Sequence, residues 1–146
     1  MTKNIYFAPV DLSRVTKIQH TGTAHVGELK NSIDFDAPEG TNILAALDGH
    51  VIDVKYDSDE GGPDQKFEEL GNYIEILHAN DEISEYEHLT FNSARVKVGD
   101  KVKTGQVVAQ VGSTGWSECP HLHFMVYKKG SEYKTMEIVW DKSMKL

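Results

Sequence analysis

A single cysteine, Cys119, in 146 residues excludes an internal disulfide and leaves the redox compartment open. No apolar run approaches the roughly 20 residues that a spanning helix needs, so no membrane insertion is expected. Positive charge is scarce, with 15 Lys and Arg against 23 Asp and Glu, for a formal charge of −8. Nucleic acids and anionic membranes both select basic surfaces, so neither is an expected partner. The stretch from Met1 to Val10 lacks the longer apolar core and cleavage site of a secretory signal. As written the chain reads as cytoplasmic, or as exported if a leader has been removed. Amphipathic helices of ordinary length, linkers and long repeats are missing as well.

What is present is strand pattern. The run from Ser32 to Ala37 alternates polar and apolar residues and stops at Pro38-Glu39-Gly40. Ile43 to Leu47 and Val51 to Val54 flank Asp48-Gly49, a hairpin or sharp-bend signal. Further strands are expected over Tyr73–His78, Ile83–Leu89, Val96–Val102, Gly105–Gly112 and His121–Tyr127, with one more between Met136 and Trp140. Asp57 to Asp64 reads as an exposed loop, followed by a short helical turn around Lys66 to Leu70. Many short strands with Gly and Asn/Asp punctuation predict an all-β, single-domain antiparallel sandwich or barrel. One domain is expected over 1–146, with a core from about 20 to 130.

The chemistry concentrates in His121-Leu122-His123. In an extended strand His121, His123, Met125 and Tyr127 share one face, while Leu122, Phe124 and Val126 line the other. Two imidazoles then stand roughly 7 Å apart on one surface. His88, Asp34 and His25 are the other candidates for a polar cluster, with Tyr86 and His88 expected on one face of their strand. Two histidines and a carboxylate make an open zinc site, and a further histidine beside it can move a proton or steady an oxyanion. His50 and His78 are read as surface histidines, Cys119 as a buried thiol.

The order of landmarks resembles the lysostaphin-type (LytM-like) zinc metallopeptidases. They run from Ile33-Asp34-Phe35-Asp36-Ala37-Pro38-Glu39-Gly40-Thr41 through Ala45-Ala46-Leu47-Asp48-Gly49-His50-Val51 to Gly71-Asn72-Tyr73-Ile74. Next come Tyr86-Glu87-His88-Leu89, Val98-Gly99-Asp100-Lys101-Val102-Lys103-Thr104-Gly105-Gln106, Gly112-Ser113-Thr114-Gly115 and Pro120-His121-Leu122-His123-Phe124. The resemblance implies a duplicated hybrid motif of strands with few short helical turns. It also implies a zinc ion (Zn2+) and hydrolysis of a peptide bond in peptidoglycan stem or cross-bridge peptides. By position, Asp34 and His123 resemble the metal ligands, and His88 and His121 the two catalytic histidines. Asn72, Tyr86 and Trp116 are expected to bind substrate or shape its groove.

One position departs from the family pattern. The usual first ligand, a histidine four residues before the aspartate, is Lys30 here. An ammonium does not ligate a dication. His25 is the expected substitute, with His20 behind it. Two alternatives accompany this reading. One is a catalytically degenerate domain of the same fold that binds peptides or activates a partner. The other is a histidine phosphocarrier, which would carry the phosphoryl group on a histidine such as His88.

Overall fold

Period-two alternation becomes a seven-stranded antiparallel sheet in the computed structural model, which describes residues 1–20, 27–131 and 134–144. In chain order the strands are β1 (Ile5–Tyr6), β2 (Lys17–Gln19), β3 (Ile33–Asp36), β4 (Asn42–Leu44), β5 (Gly49–Lys55), β6 (Gly61–Gly62) and β7 (Tyr73–Leu77). They continue as β8 (Glu82–Glu87), β9 (Lys101–Val102), β10 (Val107–Gln110), β11 (Gly115–Trp116), β12 (His121–Lys128) and β13 (Val139–Trp140). The large sheet has the order β2-β3-β12-β8-β7-β5-β9, and each neighbouring pair is antiparallel. Smaller two-stranded pairs, β4 with β10, β1 with β13 and β6 with β11, complete the architecture. Helix among the described residues is limited to short 3-10 turns, the longest over Gln65–Leu70. No helix of the described residues is long and apolar enough to cross a membrane.

The all-β expectation holds, with two local refinements. Of the two readings of Asp48-Gly49 the sharp bend is the one found, since β4 pairs with β10 while β5 pairs with β7 and β9. The chain changes sheets there. Gly49 suits the turn because a Cβ would sit 2.4 Å from the Leu77 carbonyl oxygen. The second refinement is burial of β12 on both faces. Phe35, Tyr86, Leu122, Phe124 and Val126 enter the main core, where the β4–β10 pair supplies Ile43, Val108 and Ala109. Each large apolar side chain there contributes on the order of 1.5–3 kcal/mol. Met125 and Tyr127, on the opposite face, are also almost fully buried.

That opposite face carries charge. Glu85 on β8 lies across from Glu75 on β7 and Met125 on β12, and only 2% of it is exposed. Burial, then the carboxylates of Glu87 and Glu75, push its pKa well above the ordinary glutamate value of 4.5. Above pH 4.5 the folded chain therefore holds a proton that the unfolded chain releases, and stability falls as pH rises through that window. Glu85→Gln imitates the protonated carboxyl. It is expected to raise Tm at pH 8, by roughly 2–4 °C per kcal/mol relieved, and to change it little at pH 4. Thermal unfolding at the two pH values checks this.

Candidate active site

Three residues stand in one line across the sheet. Asp34 on β3 is the register partner of His123 on β12, and His123 is the register partner of Glu87 on β8. Cross-strand neighbours are close enough for their side chains to meet. His123 Nδ1 lies 2.8 Å from Asp34 Oδ1, and its Nε2 lies 3.5 Å from Glu87 Oε2. The ring is nearly buried, at 3% exposure. Burial opposes charge on it, but the bond to Asp34 and the nearby Glu87 and Asp34 carboxylates outweigh burial and raise its pKa.

His88 reaches the same place by breaking the alternation of its strand. Tyr86 points into the core, and regular alternation would send His88 after it. Instead β8 ends at Glu87, and His88 adopts a left-handed φ of 69°. This corrects the expectation that Tyr86 and His88 share a face. Such a backbone costs on the order of 1–3 kcal/mol unless its surroundings hold it. The holding is visible: His88 Nδ1–H donates to the Thr114 carbonyl at 2.7 Å, and Leu89 N–H donates to the Asn72 carbonyl at 3.2 Å. The His88 ring centroid sits 4.5 Å from that of His121 and 6.0 Å from that of His123. Burial, then the His121 and His123 rings, depress its pKa to about 3, so it stays neutral.

The loop before β12 sets His121. Its Nδ1–H donates to the Cys119 carbonyl at 2.8 Å, beside the Ser117 hydroxyl at 3.3 Å. Ser117 is itself fixed, donating to the same carbonyl at 2.8 Å and accepting from the Ser113 hydroxyl at 2.9 Å. His121 Nε2 lies 3.8 Å from Asp34 Oδ2. Nδ1–H is committed to a backbone carbonyl in both rings, which leaves Nε2 as the nitrogen available to a ligand, and in His88 the depressed pKa keeps that nitrogen unprotonated. Two further imidazoles thus flank the Asp34–His123 pair.

The remaining expected site residues take supporting positions. Asn72 is fully buried: its amide donates to the Ser58 and Leu89 carbonyls and accepts from Ser58 N–H. Tyr86 is also fully buried, its hydroxyl accepting from Ala46 N–H and from the Ser84 hydroxyl. Every polar atom of these two side chains thus meets protein. Trp116 is half-buried and its Nε1–H donates to the Pro63 carbonyl, tying the 61–63 segment to β11. Cys119 is exposed, not buried, and its thiol pKa is raised by burial of the sulfur and by Asp36, which disfavours a nucleophilic thiolate. His50 is exposed as expected, but His78 is buried between the Asp48 carbonyl and the Ser84 hydroxyl. Lys30 and His20 are exposed. His25 lies outside the described residues.

Three neighbours of these rings were not singled out in the sequence. Thr114 presents the carbonyl that orients His88, and its hydroxyl donates to the Leu89 carbonyl while accepting from Asn72 N–H. Ser117 braces His121, and Glu87 faces His123. The glycines around Thr114 were a usable signal: a Cβ at Gly115, whose φ is +81°, would lie 2.7 Å from Gly71 Cα. Only glycine permits the two loops to meet there.

The chain belongs to a family of peptidases: the model of Peptidase family M23 matches residues 28–135. The peptidoglycan DD-endopeptidase ShyC of Vibrio cholerae is 35% identical over 128 residues, covering 85% of this chain and 27% of that protein. A solved zinc containing peptidase from Vibrio cholerae superposes with a TM-score of 0.66 at 27% identity, over 91% of this chain and 39% of its own. The catalytic domain of the prophage-encoded M23 protein EnpA from Enterococcus faecalis, solved as a point mutant, gives 0.64 at 32% identity, over 89% and 93%. The chain spans about a third or less of the length of the curated relatives it matches.

The donor set suits a borderline dication. An imidazole nitrogen and a carboxylate oxygen 2.8 Å apart are the atom types that zinc takes, and both come from rigid paired strands. Among the described residues no group of three His, Cys, Asp or Glu side chains forms a complete metal cage.

Proposed function

We propose that this chain is a zinc-dependent endopeptidase acting on peptides of peptidoglycan stems or cross-bridges. The observation that carries the reading is the Asp34–His123 pair at 2.8 Å, with the rings of His88 and His121 beside it. Asp34, His123 and His25 would hold the ion. Zinc, when bound, supplies a Lewis acid that polarises a carbonyl and makes a water reactive near neutral pH.

The protein side chains do the rest. His121 Nε2 accepts the proton of the attacking water, and Asp34 Oδ2 at 3.8 Å supports the resulting charge. The same proton is then available to the leaving amine. His88, whose depressed pKa keeps it from holding a proton, accepts a hydrogen bond through Nε2 and orients the water. Its backbone tether to Thr114 keeps that nitrogen aimed. The peptidoglycan assignment draws on relatives such as ShyC. Membership of family M23 favours the peptidase over the phosphocarrier alternative.

Lys30 gives the degenerate-domain reading its one specific support. Elemental analysis combined with a cleavage assay on cross-linked peptidoglycan fragments, read by mass spectrometry, separates the two. A protein that takes up about one zinc per chain and releases cleaved peptides is the peptidase. One that takes up none and cleaves none is the binding domain. His25→Ala is expected to lower zinc content from about one per chain toward none. Unchanged stoichiometry would remove His25 from the donor set.

A further inference from the structure

We infer that Glu87 is a positioning residue for His123, selecting the ring tautomer whose Nδ1 lone pair is free to bind a metal. The inference rests on the proposed zinc site and adds a residue outside the ligand and catalytic sets. Its basis is the arrangement of Asp34, His123 and Glu87 as consecutive cross-strand neighbours on β3, β12 and β8. One imidazole is held between two carboxylates, with Nδ1 toward Asp34 and Nε2 toward Glu87.

A neutral imidazole carries one N–H, so it can donate to only one of them. At 2.8 Å the Asp34 contact is a full hydrogen bond, with the proton on Nδ1. The 3.5 Å distance to Glu87 Oε2 is too long for a good bond. Moving the proton to Nε2 reverses the preference. The ring then donates to Glu87, and the Nδ1 lone pair faces the Asp34 carboxylate, an arrangement that only a cation between them makes favourable. Glu87 lowers the free energy of that form because it is the acceptor waiting at the other nitrogen. Ligating histidines commonly donate their second N–H to a carboxylate, and loss of that partner reduces metal affinity by about 10–100-fold.

Glu87 is well placed for the task. Its side chain is about one-third exposed while the His123 ring is buried, and on its own strand it also meets the Glu85 carboxyl. Tyr73 is its other register partner, and that hydroxyl is already donated to Asp53 at 2.9 Å. Among the described residues no lysine or arginine forms an ion pair with Glu87.

The test measures zinc affinity by competition with a chromophoric chelator in wild type, Glu87→Ala and Glu87→Gln, alongside the Tm of each zinc-free protein. Glu87→Ala is expected to bind zinc about 10–100-fold more weakly. Glu87→Gln, which keeps a neutral acceptor, is expected to fall between the two. Nitrogen-15 spectra of the zinc-loaded wild type are expected to show His123 protonated at Nε2. A purely structural role would lower the zinc-free Tm without this graded loss. Equal affinity in wild type and Glu87→Ala, or an Nδ1-protonated His123 in the zinc-loaded protein, overturns the inference alone. A wild type that takes no zinc overturns the metal reading and this inference together.

Discussion

Replacing His123 with alanine is expected to remove zinc binding and to lower peptide hydrolysis by more than the roughly 100-fold at the upper limit for an outer-partner change. The expectation follows from how few donors converge here. Among the described residues Asp34 and His123 bring a carboxylate oxygen and an imidazole nitrogen within 2.8 Å of each other on paired strands. With the ring gone, Asp34 loses its 2.8 Å bond and faces Glu87 across a void. Two carboxylates without the intervening imidazole repel each other.

The readout need not be activity. A ligand that binds only the folded chain stabilises it by about 2.7 kcal/mol at 100 times its Kd. For a chain of this size that corresponds to a rise in Tm of roughly 5–10 °C. Wild type is expected to show such a rise with added zinc, and His123→Ala none. A zinc-dependent rise retained in the variant would move the ion elsewhere.

The parts of this arrangement differ in how visible they are in the sequence. Asp34 and His123 were readable because both lie in regular strands, where period-two alternation predicts the face and the surrounding motifs predict the pairing. β3 and β12 then meet with Asp34 directly opposite His123. His88 does reach the cluster, but not by the geometry its strand pattern predicts. Alternation pairs it with Tyr86, and nothing in Tyr86-Glu87-His88-Leu89 announces a left-handed residue, which glycine or asparagine more often supplies. The φ of 69° depends on tertiary contacts from Thr114 and Asn72, whose sequence distance from His88 hides them.

Asn72 and Tyr86 show a related limit. A polar group in a motif reads equally well as substrate contact or internal tether, and the choice depends on burial. Asn72 joins three segments through four hydrogen bonds of its own side chain and backbone N–H, which makes it a scaffold for His88. Glu87 escaped notice for the opposite reason. It occupies an ordinary-looking position beside a histidine, and only the register of β8 against β12 sets it across from His123.

His121→Ala is expected to retain zinc and folded stability while lowering kcat by about 100-fold to 10,000-fold, the range for a lost general base. Retention follows from position: the ring contacts Asp34 only at 3.8 Å and is held by the Cys119 carbonyl and Ser117, not by the other ligand. The loss in kcat follows from charge. His88 presents a similar nitrogen 4.5 Å away between ring centroids, yet burial and its imidazole neighbours press its pKa to about 3. A proton taken from water would not remain on it long enough to reach the leaving amine. His121, with a carboxylate beside its Nε2, is the ring that can carry the charge between the two steps. Single-turnover cleavage with zinc content measured on the same samples checks both halves. A zinc-replete variant with wild-type kcat would transfer the proton-carrying role to His88, and one depleted of zinc would make His121 a ligand.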